Sequence, residues 1–222
     1  MDALPIGKPV DYTPAGLPEN RPLIGQYCRL EPFDMARHSA GLFAAYRLDE
    51  TGKNWTYLSV AGFENLAEFE AWAQQTCTQT DPFFYAIIDP ESGQAIGLAS
   101  YLRINPAAGS IEVGWLSFSP LLQGTRASTE AMYLMMQEAF RLGYRRYEWK
   151  CDSLNAPSNR AAKRLGFTYE GTFRQALVYK GRNRDTTWYS VLDGEWPALK
   201  TRFERWLAPE NFDTHGQQLS PL

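Results

Sequence analysis

Residues Ile111 to Leu142 constrain the fold more than any other stretch, because a strand pattern, a short polar turn and a helix pattern follow one another directly. In Ile-Glu-Val-Gly-Trp-Leu-Ser-Phe, Ile111, Val113 and Trp115 alternate with Glu112, Gly114, Leu116 and Phe118. That alternation predicts a strand with the two sets on opposite faces, ended by Pro120, which cannot donate to a ladder. From Glu130 to Leu142, Ala131, Met132, Met135, Met136, Ala139 and Phe140 recur at three- and four-residue spacings, predicting a helix with one apolar stripe. Between the two lies the turn Gln123–Thr129. A strand feeding a helix through so short a turn leaves the first N–H groups of the helix unpaired, and the helix dipole adds partial positive charge there. A phosphate or pyrophosphate is the natural guest. Gly124 lets the backbone come close, Arg126 supplies a full charge, and Thr125, Ser128 and Thr129 supply hydroxyls. A helix that starts after a polar turn and binds nothing looks the same, so this stretch gains meaning only from a second motif.

That motif follows. After a strand-like Arg145–Asp152 comes Asn155-Ala-Pro-Ser158-Asn-Arg-Ala-Ala162-Lys-Arg-Leu-Gly166-Phe167, then Tyr169-Glu170-Gly171. Taken in order, Gln123-Gly124…Ala127-Ser128-Thr129-Glu130-Ala131 and Asn155…Ser158…Leu165-Gly166-Phe167…Glu170-Gly171 resemble the GCN5-related N-acetyltransferase (GNAT) superfamily over roughly Arg21 to Trp196. The closer likeness is to its RimJ/RimL-type branch, which acetylates ribosomal-protein N-termini and assorted small amines. The resemblance implies a mixed α+β fold: a mostly antiparallel sheet of about seven strands with helices on both faces and two parallel central strands splayed around the cofactor.

It also implies an activity, N-acetyl transfer from acetyl-CoA to a primary amine by direct attack in a ternary complex. The amine would be a protein N-terminal α-amine or a small molecule. The alternative from another class is a catalytically weak acyl-CoA-binding sensor or interaction domain. By the resemblance, backbone groups of Leu116, Ser117 and Phe118 would pair with the pantetheine arm, and Gln123, Gly124, Thr125, Arg126, Ala127 and Ser128 would hold the pyrophosphate. Asn155 would hydrogen-bond the pantetheine amide, serve as a helix N-cap, or do both. Two positions depart from the family pattern. Arg126 stands where many members have glycine, and Ala162 where many have the tyrosine that protonates the leaving sulfur. Ser158 is the substitute acid that the RimL-type branch offers, with plain helix capping as its other reading. Glu112 is the candidate base, or else a salt-bridged strand carboxylate. The need for a base depends on the acceptor. An α-amine near pKa 8 costs little to deprotonate at neutral pH, whereas a lysine near 10.4 costs roughly 4–5 kcal/mol.

The loop Thr51–Gly62 carries Trp55 and Tyr57. In GNAT folds this segment walls the acceptor site, so these two residues and Tyr101 are the expected acceptor contacts; the competing reading is rings covering a core edge. Cys151 lies near the site, but neither His38 nor His215 sits in a motif that would activate it, so a small core residue is expected. Asp185 and Tyr189 match polar positions of the branch without an assigned role.

Net charge is −3 and the isoelectric point about 5.5, so no generic attraction to nucleic acid or anionic membrane is expected. Cys28, Cys77 and Cys151 show no zinc or disulfide spacing, and no metal is expected. Met1–Pro5 lacks a secretion-signal pattern and no apolar run approaches membrane-spanning length, giving a cytoplasmic expectation and a monomer or homodimer.

Residues 1–22, with five prolines, read as an extended arm, draped or mobile; 23–208 as one acetyltransferase domain; 209–222 as a frayed tail. Within the domain, strands are predicted at Gln26–Pro32, Phe83–Ile88, Ala95–Ile104, Ile111–Phe118, Arg145–Asp152, Phe167–Lys180 and Asp185–Leu192. Helices are predicted from Asp34 to about Asp49, after a capping box at Asn65 and Glu68, at Asn155–Leu165 and at Glu195–Leu207. Gly181-Arg-Asn183 predicts the last hairpin turn.

Overall fold

The computed structural model describes residues 4–222, so Met1–Ala3, the first residues of the expected arm, lie outside it. The described strands form a single sheet in the order β1-β2-β3-β4-β5-β6-β8-β7. They are β1 (Leu23–Ile24), β2 (Arg29–Pro32), β3 (Phe83–Ile88), β4 (Ala95–Asn105), β5 (Ser110–Phe118), β6 (Arg146–Asp152), β7 (Thr168–Tyr179) and β8 (Arg182–Leu192). Every neighbouring pair is antiparallel except β5 and β6.

The count is eight rather than about seven because β1 lies ahead of the strand predicted at Gln26–Pro32, which itself begins only at Arg29, after a turn. Gly25 N–H reaches the Cys28 carbonyl (2.9 Å), folding Leu23–Ile24 back onto Arg29–Leu30. The turn's own amides are taken by a distant carboxylate: Glu130 accepts from the N–H groups of Gln26 (2.8 Å), Tyr27 (2.6 Å) and Cys28 (2.8 Å).

Helices α1 (Met35–Tyr46) and α2 (Leu66–Thr76) lie on one face, each started by a side-chain cap. Asp34 accepts from Arg37 N–H (2.9 Å) and Asn65 from Glu68 N–H (3.0 Å). Their core is Leu42, Tyr46, Trp55, Phe69 and Ala73 packed on Phe84, Ala86, Ile88 and Leu98. This layer covers β3, β4 and the end of β5 only. Helices α3 (Arg126–Arg141), α4 (Ala156–Arg164) and α5 (Trp196–Leu207) cover the other face, where Ala131, Met135, Met136, Leu165 and Phe203 pack on Tyr101, Ile111, Val113, Tyr147 and Val191.

The β7–β8 turn falls one step earlier than predicted. Tyr179 pairs with Arg182 around a loop of Lys180 (φ 49°) and Gly181 (φ 69°). Positive φ at both loop residues is the turn that matches strand twist. The tail is packed rather than frayed: Trp206 Nε1 donates to Gln218 (2.9 Å), Ser220 N–H to Asn211 (2.9 Å), and Phe212 bridges Gln218. Among the described residues no helix is long and apolar enough to cross a membrane.

Candidate active site

Strands β5 and β6 run paired from Ser110↔Arg146 to Val113↔Trp149 and then part. Beyond that point β5 keeps only β4, and β6 keeps only β8. The parting coincides with a bulge. Ser100 faces Gly114 while Leu98 faces Ser117, so Ala99 opposes both Trp115 and Leu116, and Trp115 has φ 48°. The extra residue reverses the alternation. Trp115 packs with Trp72 and Phe84 under α1 and α2, away from Ile111 and Val113. Leu116 and Phe118 instead pack against the core that holds Ile111 and Val113. The predicted facing of Trp115, Leu116 and Phe118 is therefore corrected.

The bulge also decides which backbone groups face the gap. Ser119 N–H reaches the Ile96 carbonyl (3.2 Å), so with period 2 along the strand the polar groups of Ser117 point to β4. Those of Leu116 and Phe118 point into the gap. Of the three residues expected to meet a pantetheine arm, Ser117 is committed to its neighbour strand. Its carbonyl also accepts from the buried Tyr46 hydroxyl (3.0 Å), whose pKa burial pushes up. The Phe118 carbonyl accepts from Gln123 Nε2 (2.8 Å) and Asn54 Nδ2 (3.3 Å), which tie the turn after β5 to the α1–α2 loop.

Helix α3 begins at Arg126, earlier than the sequence pattern suggested, because Thr125 caps it. Thr125 Oγ1 accepts from Ser128 N–H (3.2 Å) and donates to the Leu122 carbonyl (2.8 Å), while Ser128 Oγ donates to Thr125 O (2.7 Å). Two of the three hydroxyls expected to serve a phosphate are thus locally engaged, and the third, Thr129, accepts from Arg164 Nη1 (3.0 Å). As the first two helical residues, Arg126 and Ala127 have N–H groups with no acceptor within the helix. Gly124 has φ 71° and open space where a side chain would stand. The Arg126 guanidinium lies 4.2 Å from the Tyr27 ring centroid and 5.6 Å from that of Phe212.

Across the gap, Asn155 caps α4 through its Oδ1, which accepts from Ser158 N–H (3.1 Å). Ser158 Oγ accepts from Trp149 Nε1 (3.0 Å), so this hydroxyl sits at the point where the strands part. Cys151 is buried beside it, and burial raises its pKa.

Glu112 is buried and fully engaged. Arg103 grips it with Nε on Oε2 (2.6 Å) and Nη2 on Oε1 (2.5 Å), and Lys150 Nζ sits 2.8 Å from Oε2. Lys150 continues to Glu148 (2.9 Å), Glu148 to Arg146 (2.6 Å), and Arg146 to Glu170. The result is a ladder of alternating charge across the face that α1 and α2 leave bare. With Arg103 on both oxygens and Lys150 on Oε2, the contacts favour the salt-bridged reading of Glu112 over the base reading.

The acceptor-side contacts divide. Tyr57 sends its hydroxyl to the Leu154 carbonyl (3.0 Å), bridging the α1–α2 loop to the start of α4. Trp55 is buried against Tyr46 (5.1 Å) and Phe63 (5.4 Å), although its carbonyl accepts from Lys180 Nζ (2.6 Å). Tyr101 is fully buried and donates to the Met135 carbonyl (2.5 Å) beneath α3, so it is a core residue and not an acceptor contact. Three residues at this mouth had no signal in the sequence. Asp152, at the end of β6, accepts from the Tyr179 hydroxyl (2.8 Å), and Lys180 closes the hairpin onto the loop. Burial, with Asp152 adding to it, pushes the Tyr179 pKa up to about 12. His38 is a satisfied core histidine: Nδ1 accepts from Asp34 N–H (3.0 Å), leaving Nε2 to donate to Glu31 (3.2 Å). Asp185 caps the bulge in β7 by accepting from Gln175 N–H (2.8 Å), and Tyr189 donates to Asn159 (2.7 Å).

The acetyltransferase (GNAT) domain family model matches residues 29–168, a span that contains the parted strands, α3 and α4. A GCN5-related N-acetyltransferase from Brucella melitensis is 48% identical, covering 95% of this chain and 96% of its own, with a TM-score of 0.93. A probable GNAT-family acetyltransferase from Chromobacterium violaceum is 41% identical, covering 89% of this chain and 100% of its own, with a TM-score of 0.82. The uncharacterized N-acetyltransferase YnaD of Bacillus subtilis is 29% identical over 86 residues, so the match spans 38% of this chain and half the length of that curated relative. On the fold, the parted strands and these matches together, the chain belongs to the GNAT family of acetyltransferases.

Proposed function

We propose that this acetyltransferase is of the RimJ/RimL type and uses acetyl-CoA to acetylate a primary amine by direct attack in a ternary complex. The observation that carries the reading is the gap between β5 and β6, which has the backbone polar groups of Leu116 and the N–H of Phe118 on one side and Asn155 and Ser158 on the other, the Phe118 carbonyl being held by Gln123 and Asn54. A pantetheine arm is an extended chain with amides, and it can add to β5 there as another strand would. At the gap's end, Gly124 and the N–H groups of Arg126 and Ala127 suit a pyrophosphate. More distant neighbours that share the fold are known with the cofactor, among them RimL, a ribosomal L7/L12 alpha-N-protein acetyltransferase in complex with coenzyme A (22% identical, TM-score 0.65).

Acetyl-CoA supplies an activated acyl group on a thiol that leaves readily. The chain's part is to align it, to offer an N–H of β5 to the carbonyl oxygen, and to receive the amine. Ser158, beside the end of the β5–β6 pairing through Trp149, is the hydroxyl assigned to the departing sulfur in this reading. The test is calorimetry with acetyl-CoA, then thiol release and product mass with n-butylamine, spermidine and a tetrapeptide bearing a free α-amine. One-to-one binding and acetylated product are expected, with Gly124→Val weakening acetyl-CoA about tenfold or more, which is about 1.4 kcal/mol. A wild type that binds no acetyl-CoA overturns the reading.

A further inference from the structure

Five carboxylates are buried among the described residues: Glu31, Glu112, Glu130, Glu138 and Asp152. Four are saturated. Glu31 meets Arg29, Arg37 and His38; Glu112 meets Arg103 and Lys150; Glu138 meets Arg21 and Arg141; and Glu130 accepts three backbone N–H groups. Asp152, like Glu130, has no cation, and it has fewer donors than Glu130. Its Oδ1 accepts from Leu154 N–H (2.8 Å) and its Oδ2 from the Tyr179 hydroxyl (2.8 Å), and no cation of the described residues pairs with it. A buried carboxylate is costly unless a positive partner offsets its lost hydration. Arg184 stands nearby, its guanidinium 5.7 Å from the Tyr179 ring centroid, but it makes no ion pair with Asp152.

Its place says what the partner is. Asp152 lies three residues past Trp149, where β5 and β6 last pair, so it stands where the gap is open. Along β6, Tyr147, Trp149 and Cys151 belong to the core under α3. By alternation Asp152 projects to the opposite face, with Glu148 and Lys150. Over that position the α1–α2 loop and the hairpin tip meet, through Tyr57 on Leu154 and Lys180 on Trp55. Arg184 already stands 5.7 Å from the Tyr179 ring centroid, so the half-buried ring of Tyr57 is the one whose face suits an ammonium group.

We infer that Asp152 is the catalytic carboxylate that receives the acceptor's ammonium and takes its proton, with Tyr179 as the positioning residue that holds it. This rests on the acetyl-CoA reading above. The ammonium gives one proton to an Asp152 oxygen, and the freed nitrogen lone pair forms the C–N bond at the thioester carbonyl. As the tetrahedral adduct collapses, the C–S bond breaks, and the second nitrogen proton passes to the departing sulfur. Asp152 then returns its proton to solvent. Glu112, held by Arg103 and Lys150, keeps the sheet face in order and takes no proton.

The test compares wild type, Asp152→Asn and Tyr179→Phe, using whichever of the three probe amines turns over fastest. Asp152→Asn is expected to lower kcat/KM at pH 7 at least about 100-fold, with acetyl-CoA affinity within twofold of wild type. Its residual rate should climb with pH as free amine accumulates, where the wild-type rate levels off. Calorimetry of the same amine into coenzyme A-loaded protein should show at least about tenfold weaker binding for Asp152→Asn. Tyr179→Phe, which keeps the carboxylate, should cost about 3- to 10-fold in kcat/KM and move the midpoint of the pH profile. Should Asp152→Asn fail to fold, Tyr179→Phe decides, and an unmoved profile overturns the assignment. An Asp152→Asn enzyme within threefold of wild type also overturns it, as does a loss matched by lost acetyl-CoA affinity. Failure of the functional reading would show in the wild type as absent acetyl-CoA binding; failure of this inference shows only between variant and wild type.

Discussion

Trp115 illustrates how one backbone torsion overrules a pattern. Read at period 2, it belongs with Ile111 and Val113; with φ at 48° it turns to the opposite face and lies against Trp72. Nothing in Glu-Val-Gly-Trp-Leu marks a bulge except Gly114, where a side chain would meet Leu102 at 2.8 Å. Glu112 was legible as a functional or salt-bridged carboxylate, and the choice between those depended on Arg103 and Lys150, which come from two other strands. Glu112→Gln should cost about 3 kcal/mol of stability, since it leaves the buried Lys150 with Glu148 alone and Arg103 without its partner. Urea unfolding followed by tryptophan fluorescence measures this. A loss of activity without that loss of stability would instead make Glu112 part of the chemistry.

The elements that carried strong periodicity or a cap emerged where expected: α2 behind Asn65, β3, and α4 behind Asn155. Those that missed did so because a partner far along the chain set their limits. The turn at Gly25–Cys28 takes Gln26, Tyr27 and Cys28 out of the predicted strand because Glu130, on α3, holds their amides. Gly25 has no room for a side chain there, since one would meet Glu130 Oε2 at 2.3 Å. In Glu130→Gln one carboxylate oxygen becomes an amide donor facing an N–H group, which should destabilise the fold by about 2–3 kcal/mol. Amide hydrogen exchange at Gln26, Tyr27 and Cys28 should speed up together, while exchange in α2 stays unchanged. Retained protection at those three amides would count against the clamp.

Ion pairs knit the molecule beyond its two hydrophobic layers. The arm is held by Tyr12 on the Pro106 carbonyl (2.7 Å), Gly16 on Leu142 (2.8 Å) and the Glu19, Arg21, Glu138 and Arg141 cluster. On the sheet face, burial alone would raise the pKa values of Glu31 and Glu148. Arg29, His38 and Arg37 outweigh it for the first, and Arg146 and Lys150 for the second, so both are lowered. Arg146 lowers Glu170 as well. Below the ordinary glutamate value near 4.5 the unfolded chain binds protons that the folded one resists. Stability from these groups is therefore complete above that pH and lost as pH falls through the lowered folded values. Thermal melts from pH 7 to 3 should show Tm dropping below about pH 4.5. Arg146→Met, which frees Glu148 and Glu170, should flatten the drop; an unchanged slope would remove the ladder from the account.

The order of strands and helices, the turn that precedes α3, and the Asn155–Ser158 cap were legible from residue types, because periodicity, caps and glycine torsions are local properties of a chain. The family followed from two such local motifs in order. What waited for the tertiary structure was every role that depends on a partner from elsewhere. Glu112 became part of a ladder, Tyr101 became core, and Asp152 was left buried without a cation. A carboxylate looks the same in a sequence whether two guanidiniums or none will face it. Only folding, which brings β4, β6 and the β7–β8 hairpin to one place, determines which charge is already answered and which still awaits a partner.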